Sequence, residues 1–94
     1  MSGPERPRTR PATIASVLLV EFTIEPFVEG HPGPHVLAAV AAVEALGIEV
    51  EFGPFGSSCV IDDSLAGSVT GAIIASAYAH DATHVVLHTE RLAP

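Results

Sequence analysis

The stretch VEFTIEP, Val20–Pro26, decides how this chain folds. Side chains of a β-strand alternate between two faces, so Val20, Phe22 and Ile24 share one face while Glu21, Thr23 and Glu25 share the other. One face suits a core, and the other carries two carboxylates flanking a hydroxyl. A strand of that kind belongs to a sheet covered on one side only. Outward from it, SVLLVEFTIEPF (Ser16–Phe27) is rich in β-branched and aromatic residues, and Pro26 closes the strand because proline has no N–H to give a ladder.

The segments that follow supply the partners. VEGHPGPH (Val28–His35) reads as a loop whose Pro34 suits a first helical turn. Val36, Val40 and Val43, with Leu37 and Leu46, then keep helical spacing up to Gly47, which is placed to end the helix in a left-handed conformation. IEVEFGPF (Ile48–Phe55) and GSSCVID (Gly56–Asp62) read as two strands joined by a hairpin, with Ile48, Val50 and Phe52 pointing inward. Ser64 is expected to cap a second helix ending near His80, with a stripe of Leu65, Val69, Ala72, Ile73 and Ser76. THVVLHTERL (Thr83–Leu92) alternates again as a fourth strand. The order β-α-β-β-α-β predicts an α+β ferredoxin-like sandwich, a four-stranded antiparallel sheet with two helices on one face.

Composition narrows the function. A length of 94 residues allows one small domain. Residues 1–13, MSGPERPRTRPAT, hold three of the four arginines and are expected to form a disordered arm ahead of a domain at 14–94. No apolar run resembles a secretory signal or a membrane span, so a soluble cytoplasmic protein is expected. The net charge is −7, lysine is absent, and from residue 14 onward a single arginine, Arg91, faces ten acids. That balance disfavours nucleic acid and anionic membranes and favours a cationic ligand. The single cysteine, Cys59, rules out an intrachain disulfide and a cysteine-based zinc site. Helix one carries only Glu44 as a formal charge, and Ser64–His80 carries none, which predicts burial against further copies in a homodimer or homotetramer.

The chemistry-bearing residues are few. No G-x-S-x-G elbow and no phosphate loop followed by lysine is present. His84, His88 and Glu90 share a face of strand four, and in this topology His88 is expected to approach Glu21 or Thr23 across the ladder. Their spacing is diagnostic of no particular ion, so no metal is predicted. His31 and His35, separated by prolines, are expected to be exposed loop histidines.

Two short motifs carry a family resemblance. Glu21, Phe22 and Pro26 at the end of strand one, followed by a Gly/Pro loop, and then Gly53-Pro54-Phe55-Gly56-Ser57-Ser58, resemble the small thiamine-binding proteins, relatives of a two-domain bacterial protein that binds thiamine and its hydroxymethylpyrimidine half. The resemblance spans roughly residues 17–92; many members have Gly-Thr where this chain has Gly56-Ser57. It implies a ferredoxin-like dimer or tetramer that binds thiamine or the hydroxymethylpyrimidine without turning it over and needs no cofactor. In that reading the ligand is a cationic heteroaromatic. Glu21, Thr23, Glu25 and His88 supply polar contacts, Ser57 and Ser58 hydrogen bond the ring, and Phe55 or Phe27 stacks on it. Two other functions fit the same fold: a small dimeric monooxygenase or isomerase, and a structural or regulatory subunit whose open sheet face docks a partner.

Overall fold

The computed structural model of the chain describes residues 16–28, 31–53 and 56–93. The arm at 1–13 and Phe55 lie outside the described residues. Four strands and two helices follow in the order β1 (Val17–Glu25), α1 (Pro34–Glu44), β2 (Glu51–Phe52), β3 (Ser57–Asp62), α2 (Ala66–Ala79) and β4 (His84–Ala93). The sheet order is β2-β3-β1-β4 and every pairing is antiparallel, which is the ferredoxin-like arrangement.

The core lies between the sheet and the helices. Val20, Phe22 and Ile24 of β1 and Cys59 and Ile61 of β3 meet Val36, Ala39, Val40 and Val43 of α1 and Val69, Ile73 and Ala77 of α2. Each fully buried aliphatic side chain stabilises the fold by about 1.5–3 kcal/mol relative to exposure. Helix α1 starts with Pro34 at its first position, where the missing N–H removes no bond, and Gly47 beyond its end has φ +84, a left-handed conformation that glycine adopts without a Cβ clash.

The structure corrects four local expectations. The second strand is only Glu51–Phe52, because the connector from Gly47 runs irregularly until Glu51 pairs with Ser58; Ile48 and Val50 still pack on the core, but Phe52 is exposed. The cap before α2 belongs to Asp62, whose carboxylate accepts from the backbone N of Ser64 at 2.9 Å and from its hydroxyl, and a 3-10 turn at Asp63–Leu65 precedes the helix. The aspartate two residues before Ser64 therefore takes the orphan donor. The buried positions of α2 are Val69, Ile73 and Ala77, four apart; Leu65 would continue that row but lies in the 3-10 turn before the helix and is exposed. Finally, His35 is not an exposed loop residue: it sits in the first turn of α1, 8 % exposed.

Candidate ligand-binding site

Register fixes what shares a face. Residues directly opposite in an antiparallel pair project to the same side of a sheet. Glu51 pairs with Ser58, Ser58 with Glu21, and Glu21 with His88, so these four side chains form one row across the open face. Glu25 pairs with His84 and Thr23 with Val86 farther along that face. Glu21, Glu25 and His88 are exposed, and Thr23 is half-buried. His88 Nε2 lies 3.6 Å from Glu90 Oε1, with both side chains mostly in water. Among the described residues no group of three or more such side chains is gathered closely enough to hold a metal ion.

Ser57 is elsewhere. It pairs with Phe22, faces the helix layer and is 6 % exposed. Adjacent residues of one strand project to opposite faces, so Ser57 and Ser58 cannot line the same side of the sheet. The candidate residues are thus divided: Glu21, Thr23, Glu25, Ser58 and His88 stand on the open face, and Ser57 stands on the other side.

Ser57 borders a cavity of about 390 Å³ at one end of the sandwich. Three pieces of chain make it. The segment after β1 contributes Phe27 and Val28, the start of α1 contributes Gly33, Val36 and Leu37, and the β2–β3 hairpin contributes Phe52, Gly53, Gly56 and Ser57. Backbone and side-chain bonds hold these walls. Thr83 N donates to Glu25 O at 2.8 Å, His31 N donates to Val28 O at 3.0 Å, and His35 Nε2 donates to Pro26 O at 2.6 Å. Gly53 N donates to Gly56 O at 2.6 Å and closes the hairpin. The lining is mainly apolar and aromatic with a hydroxyl at its edge, and its size falls within the range of about 300–1,000 Å³ usual for small-molecule sites.

A second hollow, about 320 Å³, opens where β2 separates from β3 and is bordered by Leu19, Glu49, Glu51, Ser58 and Val60. It is the more polar of the two and continues into the row that contains Glu21. Cys59 borders it from the core side; burial pushes its thiol above the ordinary value of 9.0 and keeps it protonated.

Phe52, Val28, Val36 and Leu37 were not singled out from sequence as ligand contacts. Val36 and Leu37 sit in a helical stripe that reads as core, and Phe52 alternates as an inward strand residue. The sequence does point to two of the lining residues, Phe27 just past the proline that ends β1 and Ser57 of the Gly/Pro hairpin motif.

The fold and the end cavity define a small ferredoxin-like α+β sandwich with a mainly apolar pocket at one end. No protein-family model matches the chain, and no curated protein matches it either. Solved structures do resemble it. A domain of unknown function, DUF77, from Bacillus cereus superposes with a TM-score of 0.62 at 13 % identity, covering 89 % of this chain and 82 % of that one. A protein described as a candidate for thiamine biosynthesis or salvage, from Thermotoga maritima, superposes with a TM-score of 0.58 at 17 % identity over 80 % of this chain and 81 % of that one. A hypothetical protein from Methanocaldococcus jannascii gives 0.54 at 19 % identity over 83 % and 80 %. The chain therefore has the fold and size of these proteins.

Proposed function

We propose that the chain is a non-enzymatic binding protein for thiamine or its hydroxymethylpyrimidine moiety, and that the ligand enters the end cavity. The observation that carries this reading is the cavity itself: its volume suits a small heterocycle, Phe27 and Phe52 offer ring faces, and Ser57 offers a hydroxyl. The thiamine-related description of the Thermotoga maritima protein, whose fold this chain shares, supports the choice of ligand. Support from the first strand is electrostatic and indirect. Glu21 and Glu25 lie on the open face, so they raise the local concentration of a cation without touching a ligand in the cavity. An aminopyrimidine ring fits the apolar lining better than a thiazolium, which is left toward the mouth and the water.

The chain acts in this proposal as a cytoplasmic homodimer or homotetramer that carries, buffers or senses the vitamin. No helix among the described residues is long and apolar enough to cross a membrane. Helix α2 has no charged residue and leaves Ile74 and Tyr78 exposed, and Leu37 of α1 is exposed as well, which favours contact with another copy.

Calorimetric titration with thiamine, oxythiamine and the isolated hydroxymethylpyrimidine tests the binding reading, on wild type, Ser57→Ala and Glu21→Gln. Ser57→Ala is expected to weaken binding by roughly five- to tenfold, the usual worth of one hydrogen bond, and Glu21→Gln by less than threefold at physiological salt. Flat thermograms for all three compounds with folded wild-type protein would sink it. Light scattering after size exclusion measures the assembly, and a monomer at micromolar concentration would remove the oligomer.

A further inference from the structure

We infer that His35 is a positioning residue that fixes one wall of the end cavity, an inference that rests on the proposed binding role only for its effect on affinity. Its imidazole folds back from the first turn of α1 and reaches the carbonyl oxygen of Pro26, with Nε2 at 2.6 Å. A carbonyl oxygen only accepts, so Nε2 carries the proton. The two segments joined in this way are the two that flank the cavity mouth. Phe27 and Val28 directly follow the acceptor Pro26, and Gly33, Val36 and Leu37 surround the donor on α1.

Backbone bonds from Thr83 N to Glu25 O and from His31 N to Val28 O, with the pairing of Glu25 to His84 of β4, also hold the Glu25–Val28 segment. His35 supplies the side-chain bond from α1 to this segment, so the distance between the Phe27 wall and the α1 wall depends on its identity. The local sequence is built around the ring. A Cβ at Gly33 would lie 2.6 Å from His35 Cε1 and 3.0 Å from Nδ1, so the helix N-cap must be a glycine for the imidazole to take this place. Gly33 makes no side-chain cap, and the helix start is closed by Val36 N and Leu37 N donating to Gly33 O, each at 3.0 Å. The cap position therefore gives up a capping side chain in favour of room for the ring.

The test compares wild type with His35→Phe, which keeps a ring and removes the donor, and His35→Gln, whose amide can donate at similar reach. Amide hydrogen exchange at His31, whose N–H is held by Val28 O, reads the wall without any ligand. Titration with hydroxymethylpyrimidine reads the cavity. His35→Phe is expected to speed exchange at His31 and to weaken binding about tenfold each, the factor set by a bond of about 1.4 kcal/mol, and His35→Gln is expected to restore both to within about threefold. Unchanged exchange at His31 in His35→Phe, or failure of glutamine to restore it, overturns the inference. If His35→Phe does not fold, the imidazole of the wild type decides: a slowly exchanging Nε2 proton supports the contact, and a rapidly exchanging one overturns it. If exchange follows the expected pattern while wild type binds nothing, the binding role falls and the positioning of the wall stands.

Discussion

Gly56→Ala should destabilise the domain and disturb its cavity together. Gly56 leads into β3 and faces the middle of β1, where a Cβ would lie 2.8 Å from the carbonyl oxygen of Phe22 and 2.8 Å from Thr23 Oγ1. Ordinary contact needs at least about 3.4 Å, so the two chains must separate by roughly half an ångström. The carbonyl belongs to a central strand paired on both sides and to the buried Phe22, and the threonine is β-branched, with restricted χ1. The hairpin is the part that moves. Forcing a methyl into a packed site costs about 1–3 kcal/mol. For a domain of this size each kcal/mol lowers the midpoint by roughly 4–8 °C. A matched control is Gly71→Ala in α2, where a Cβ meets nothing within 4 Å and the helix gains up to about 1 kcal/mol in propensity. Urea unfolding of the two variants should therefore differ by about 2–4 kcal/mol with equal m-values, and Gly56→Ala should also weaken any ligand of the cavity that Gly53, Gly56 and Ser57 help to line. Gly56→Ala within about 0.5 kcal/mol of wild type would refute the reasoning, since the close approach to β1 would then not exist.

Ile73→Ala, at a fully buried position of α2, should cost about 2–5 kcal/mol in urea unfolding and leave a protein that still orders its sheet only if the total stability exceeds that loss. Because burial raises the Cys59 thiol above 9.0, the unfolded chain loses its proton first on going alkaline; stability is fully present below pH 9 and declines as pH rises toward the folded value. Cys59→Ala should flatten that alkaline decline above about pH 9 while lowering stability at neutral pH through the lost packing. Arg91→Ala removes a 3.4 Å ion pair with Asp63 in which the arginine is mostly exposed, and should change stability by less than about 1 kcal/mol, less still in high salt.

How much of this was legible in sequence depends on whether a feature is made along the chain or across it. The alternation in Val20–Pro26 and the spacing of Val36, Val40 and Val43 express local periods of two and 3.6, and they yielded β1, α1 and the sandwich order. The register that sets His88 opposite Glu21 follows from that order plus strand parity. Asp62 displaced Ser64 as cap because both are good capping residues within two positions, and only the path of the backbone chooses between them. The burial of His35 was hidden for the opposite reason. Two neighbouring prolines and a glycine read as loop, whereas the contact that buries the ring is with a carbonyl nine residues away.

The division of the candidate residues between the two sides of the sheet is the part that matters for chemistry. A short motif such as Gly56-Ser57-Ser58 suggests a pair of hydroxyls acting together, but a strand offers only one of any two neighbours to a given face. Ser57 therefore belongs with Phe27 and Phe52 in an apolar cavity, and Ser58 belongs with Glu51 and Glu21 on an acidic row. A ligand that needs both a ring pocket and a carboxylate cannot take them from Ser57 and Glu21 of the same chain, because the sheet stands between them. Either the charge on the ligand stays hydrated at the cavity mouth and the acids act only through their field, or the carboxylate comes from a second copy packed beside that mouth. Ionic strength separates these alternatives: attraction through the field falls steeply between about 0.01 and 0.15 M salt as the screening length shrinks from about 30 to 8 Å, whereas a direct, partly buried ion pair across a subunit contact is much less sensitive.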